Sequence, residues 1–147
     1  MRLRPHVVSA LDDVNADGVP DFLIGAPATN GGDQLRFDVG ASYVIYGQTG
    51  RPAEIDVSAV ETGGTPGYVL RAGERLAETG VSVSELGDIN GDGIGDFIIG
   101  APGANTGGVD SGAAYVIYGE AGGFPAALDE ITLNDLDPQV GFSIVGD

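Results

Sequence analysis

Residues 88–96, DINGDGIGD, place carboxylate or amide oxygens at the first, third, fifth and ninth positions: Asp88, Asn90, Asp92 and Asp96. Gly93 fills the sixth position, where a backbone folds sharply, and Ile94 in the seventh offers its carbonyl. Hard oxygen donors at alternating positions around a glycine turn are the chemistry of Ca²⁺. Residues 13–21, DVNADGVPD, repeat the pattern with Asp13, Asn15, Asp17, Gly18, Val19 and Asp21. Three converging carboxylates repel one another without a cation, so an ion is expected to order each loop. Asp, Asn and Gly also favour plain turns. Turn preference alone, however, does not require every ligand position to be kept twice.

Other chemistries fit the same residues less well. An EF-hand needs a bidentate Glu at the twelfth loop position, where this chain has Ile24 and Ile99. It also needs flanking helices, whereas here each loop runs straight into FLIG or FIIG. The run GDGIG at 91–95 has Asp96 where a dinucleotide fingerprint requires its third glycine. The single histidine, His6, lies beside the chain start and makes a poor centre for a hydrolytic triad. Glycosidase-type carboxylate pairs could be drawn from so many Asp residues. Those outside the loops, such as Asp33, Asp38, Asp110, Asp129 and Asp135, share no pattern.

The totals point the same way. The chain has 147 residues with 22 acidic against 6 basic side chains, a formal charge of −16. That field repels phosphate backbones and anionic lipid and attracts cations. With no cysteine, disulfides and thiolate metal sites are excluded. The apolar runs are too short to span a bilayer, and MRLRPHVVSALDD lacks the apolar stretch of about 7–15 residues found in a signal peptide.

The elements that must hold the loops are themselves repeated. DVNADGVPDFLIGAPA (13–28) and DINGDGIGDFIIGAPG (88–103) agree at 10 of 16 positions, and GASYVIYG (40–47) recurs as GAAYVIYG (112–119). Four strands are predicted per copy: 6–11, 22–25, 41–47 and 67–71 in the first, then 81–86, 97–100, 113–119 and 141–145. FLIG and FIIG do not alternate, which suits strands covered on both faces, whereas VSVS at 81–84 does alternate. Segment 127–137 is ambiguous and allows a short helical turn. Tyr43, Tyr46, Tyr115 and Tyr118 occupy the same places in both copies, which favours packing between sheets over a ligand platform. Segments 33–40 and 105–112 differ most and suit either plain loop or partner contact. Four short strands per repeat predict an all-β chain of two four-stranded β-propeller blades, with a β-sandwich as the alternative.

The order Asp-x-Asn-x-Asp-Gly-x-x-Asp, Phe-[Leu/Ile]-Ile-Gly-Ala-Pro and Gly-Ala-x-Tyr-Val-Ile-Tyr-Gly resembles the FG-GAP repeats that build the integrin α-chain propeller. The resemblance implies blades at 1–74 and 75–147, part of a larger ring, with about two Ca²⁺ ions, one per loop. The implied ligands are Asp13, Asn15, Asp17, the Val19 carbonyl and Asp21, then Asp88, Asn90, Asp92, the Ile94 carbonyl and Asp96. It further implies a non-catalytic binding or adhesion module, extracellular or at the cell surface, with a protein or glycan ligand. A propeller portion of a secreted polysaccharide-degrading enzyme, or a spacer in a large surface protein, is the alternative. The naming Phe-Gly pair reads Thr79-Gly80 in the second copy and Arg4-Pro5 in the first, which puts the first opening strand in question. Two blades leave a sheet face open at each end, so further blades or self-association are expected.

Overall fold

The computed structural model describes residues 6–28, 39–50, 52–72, 74, 76–124 and 130–146, with backbone alone at 130–132. Two sheets carry nearly all the regular structure. The first contains β1 (Val7–Ala10), β2 (Phe22–Ala26), β3 (Ala41–Ile45) and β4 (Gly67–Arg71), joined as an antiparallel meander. The second repeats it with β5 (Ser82–Gly87), β6 (Asp96–Ala101), β7 (Ala113–Ile117) and β9 (Gly141–Val145). The eight predicted strands are therefore present, β1 included despite the altered residues that precede it.

The registers of the two sheets coincide along most of their length, the second adding a bulge between Glu85 and Gly87. Leu23 faces Val44 and Ile24 faces Tyr43 in the first, as Ile98 faces Val116 and Ile99 faces Tyr115 in the second. Tyr68 and Leu70 of β4 correspond in the same way to Phe142 and Ile144 of β9. β8 (Glu130–Thr132) leaves the second repeat and runs parallel to β4 as a fifth strand of the first sheet. This exchange was not legible in the sequence, because three residues carry too little periodicity to mark a strand. A 3₁₀ turn at Leu133–Asp135 follows β8, inside the segment expected to allow one. A second turn at Val57–Val60 was not expected; Asp56 caps it by accepting the Ser58 N–H. Both turns come directly after Glu-Ile-x, at 54–56 and 130–132.

The main core lies between the sheets. Leu11, Val14, Leu23, Val44, Tyr68 and Leu70 of the first pack against Phe97, Ile99, Tyr115, Ile117 and Leu133 of the second. Full burial of such side chains contributes about 1.5–3 kcal/mol each. The sheets also touch through backbone. Thr79 bridges Gly40, and its N–H donates to the Val39 carbonyl at 3.2 Å. A Cβ on Gly25 would stand 2.1 Å from the Gly80 carbonyl oxygen, so that contact admits only glycine.

The other face of the first sheet, with Ile24, Tyr43, Ile45 and Val69, is covered by Ile55, Val57 and Val60 of the β3–β4 connection. Tyr43 and Ile45 are completely buried. The expectation of an open apolar face at each end therefore holds at one end only. The open face belongs to the second sheet, where Leu86, Ile89, Phe142 and Ile144 are exposed.

Candidate metal centre

Each Asp-rich loop joins the first two strands of its sheet: residues 13–21 link β1 to β2, and 88–95 link β5 to β6, which opens on Asp96. Left-handed backbone sets the path of both. Gly18 and Gly93 at the sixth position have φ of 87° and 89°, a region other residues rarely adopt. The fourth position is also left-handed, at Ala16 (58°) and Gly91 (81°).

The carboxylates then organise the loop around themselves. Asp13 accepts the N–H groups of Asp17 and Gly18 at 2.9 and 2.7 Å, and Asp88 accepts those of Asp92 and Gly93 at 3.1 and 2.8 Å. Asp17 and Asp92 each accept the N–H two residues on, from Val19 and Ile94, both at 2.8 Å. The Asn15 and Asn90 side-chain oxygens accept from Asp17 and Asp92, and their amide groups donate back to those carboxylates. Asp21 accepts from the N–H of Val14 at 2.9 Å and of Gly47 at 2.7 Å; Asp96 accepts from Ile89 at 2.8 Å and Gly119 at 2.9 Å.

The structure thus links Asp13, Asn15 and Asp17 in one hydrogen-bonded network and Asp88, Asn90 and Asp92 in another, while Asp21 and Asp96 hold the second loop residue, Val14 or Ile89, to the glycine that closes the YVIYG strand. Sequence reasoning missed Gly47 and Gly119. They end the YVIYG strand signature, yet they supply donors that hold the ninth-position Asp. A Cβ at Gly47 would lie 2.2 Å from the Pro20 carbonyl oxygen, and one at Gly119 2.4 Å from that of Gly95. The signal available was the same glycine closing the same strand in both copies.

Charge is concentrated and partly desolvated. Asp21 is buried, and burial raises its carboxyl above the usual range. The Gly47 and Val14 N–H groups counter that, while the charges of Asp17 and Asp13 raise it further. The two loops face each other across an open cleft of about 360 Å³ lined in part by Asp12, Asp13, Asp88 and Ile94. Beside it Glu85 shares a hydrogen bond with Asp12, which raises the Glu85 carboxyl.

The donor set is oxygen only: three carboxylates, one amide oxygen and main-chain carbonyls in each loop. It suits a hard cation and no thiophilic one. The carboxylates are turned onto backbone N–H groups, and among the described residues no three His, Cys, Asp or Glu side chains converge to hold an ion by themselves. An ionised carboxylate has about four lone-pair sites, so each retains acceptor capacity beyond the bonds it makes here.

His6 is exposed just before β1, with its backbone N–H on the Gly25 carbonyl. Tyr43 and Tyr115 are buried in the two cores; Tyr46 packs on Tyr68, and Tyr118 on Phe142. Burial, with smaller contributions from Asp21 and Asp17, pushes the Tyr46 hydroxyl up to about 12. Residues 33–38 lie outside the described residues. In 105–112, Asn105 accepts the Asp110 N–H.

A twice-repeated four-stranded meander with an Asp-rich loop between its first two strands defines a blade-type repeat protein. Residues 5–45 and 80–117 match the FG-GAP repeat family, and the chain belongs to it. It is 35% identical over 112 residues to integrin alpha-PS2 of Drosophila melanogaster, covering 75% of this chain and 7% of the relative. To human integrin alpha-6 it is 32% identical over 137 residues, 93% of this chain and 10% of the relative. To phosphatidylinositol-glycan-specific phospholipase D of Rattus norvegicus it is 32% identical over 133 residues, 88% of this chain and 15% of the relative. The matched region is thus a small part of each relative's length.

Proposed function

We propose that the chain is a calcium-binding FG-GAP module that binds and positions rather than catalyses, within an extracellular or cell-surface protein of the adhesion type. The observation that supports it most is the close match of the two loop networks, which differ by one bond from Gly91 to Asp88, over residues whose donor chemistry suits Ca²⁺. Asp13, Asn15, Asp17, the Val19 carbonyl and Asp21 would hold one ion; Asp88, Asn90, Asp92, the Ile94 carbonyl and Asp96 would hold the other. A bound ion would supply the positive charge needed to draw the three carboxylates of each loop together, and it would tie the first strand of each sheet to the second. The integrin relatives favour the adhesion reading, with a protein or glycan ligand. The phospholipase D relatives favour a second one, in which the module is the non-catalytic part of an enzyme-bearing parent.

Asp92→Ala tests the ligand assignment. Its carboxylate is exposed and bonds Ile94 and Asn90, contacts that water can replace. In chelator the variant is expected to unfold within about 1 kcal/mol of the parent chain. In calcium it is expected to lose one of two bound ions and about half the calcium-dependent stabilisation. Equal losses in calcium and in chelator would make Asp92 a turn residue.

A further inference from the structure

At one peptide link the two loops differ in both sequence and hydrogen bonding. The third and fourth positions read Asn90-Gly91 in the second loop and Asn15-Ala16 in the first. The Gly91 N–H donates to Asp88 Oδ1 at 2.6 Å, and among the described residues no matching bond runs from Ala16 to Asp13. We infer that Asn90–Gly91 is a self-modifying site, at which the cation-free loop converts Asn90 to aspartate or isoaspartate with loss of ammonia.

Three observations place the reacting groups. Asn90 Oδ1 accepts the Asp92 N–H at 3.0 Å, and the ring closed by this bond contains both the Asn90 Cγ and the Gly91 nitrogen. The side-chain carbon is thereby folded over its own peptide link. Gly91 has no Cβ to hinder approach to its nitrogen, and Asn90, Gly91 and Asp88 are all exposed to water. Asn15, by contrast, is buried. Lastly, Asp88 already holds the proton that the attack must remove, and a carboxylate within hydrogen-bond reach of that proton acts as a general base.

The Gly91 nitrogen attacks Asn90 Cγ, forming a C–N bond while its proton passes to Asp88. The tetrahedral carbon then expels the side-chain nitrogen, which recovers that proton and leaves as ammonia, and a succinimide remains. Water opens the ring at Cγ to give aspartate, or at the Asn90 main-chain carbonyl to give isoaspartate. Aspartate adds a fourth carboxylate to the loop; isoaspartate inserts a methylene into its main chain. Either product ends the match between the loops. One part rests on the calcium reading above: an ion held by Asp88 and Asn90 would occupy the carboxylate that takes the proton, so bound calcium protects the link.

The test incubates the full chain at neutral pH, in chelator and in calcium, and follows each asparagine by peptide mass spectrometry. Asn30-Gly31, outside the described residues, is read from a separate peptide. In chelator Asn90 is expected to convert while Asn15 in the same sample stays intact. Gly91→Ala is expected to slow Asn90 to the rate of Asn15. Ala16 holds the same left-handed position at 58°, and open space surrounds Gly91, so this variant keeps the fold. Asp88→Asn, its fold checked by circular dichroism, is expected to slow conversion about 10²-fold, the low end for a general base. Equal rates at Asn90 and Asn15, or no effect of Gly91→Ala, would overturn the inference. Conversion unslowed by Asp88→Asn would overturn the role of Asp88. Calcium is expected to slow conversion too, and titration calorimetry on the same samples separates the two readings. Calcium heat with unslowed conversion overturns the protection. Absence of heat sinks the calcium reading, and the chelator result then decides the site alone.

Discussion

Saturating calcium is expected to raise the unfolding free energy of the chelated chain by about 5 kcal/mol. An ion bound only by the folded state stabilises it by mass action, about 2.7 kcal/mol per site at a hundredfold excess over Kd. Two loops with one network apiece supply two such contributions. For a chain of this size the gain corresponds to a rise of roughly 10–20 °C in Tm. The sign follows from electrostatics: each loop carries three carboxylates, and in the first both burial and the charges of Asp17 and Asp13 already disfavour the charged form of Asp21. Magnesium is expected to give much less, because it resists dehydration and demands a tighter octahedron. Scanning calorimetry in chelator, calcium and magnesium reads this directly, and a Tm unmoved by calcium would count against it.

The second large effect contrasts two equivalent positions. Leu70→Ala is expected to cost about 2–5 kcal/mol, the range for emptying a packed site, because Leu70 is fully buried between the sheets. Ile144→Ala, at the matching place in β9, is expected to change stability by no more than about 0.5 kcal/mol in dilute protein. Its side chain is 52% exposed and leaves no cavity behind. Urea unfolding of both variants decides the matter. Equal costs would mean that the two faces are packed alike, and the asymmetry between the sheets would fall.

Much of this architecture was readable from the chain because it is written twice. FLIG and FIIG lack alternation: FLIG proved covered on both faces, whereas Ile98 of FIIG lies only partly buried on the open face of the second sheet. The loop ligands were readable because oxygen-bearing side chains at fixed spacing around Gly18 and Gly93 leave few other conformations. Three features were not. β8 forms because its backbone finds the free edge of β4, a tertiary circumstance that three residues cannot announce. The cover over Tyr43 and Ile45 comes from Val57 and Val60, whose short turn has no helical period to recognise. The donors Gly47 and Gly119 reach Asp21 and Asp96 across 26 and 23 residues, a pairing that only the folded register creates.

The central claim is that the two loops are calcium sites, and isothermal titration of the chelated full chain tests it most directly. The account predicts two Ca²⁺ ions per chain with Kd of about 10⁻⁵–10⁻³ M, and much weaker binding of Mg²⁺. No calcium heat at millimolar protein, or equal affinity for both ions, would contradict it.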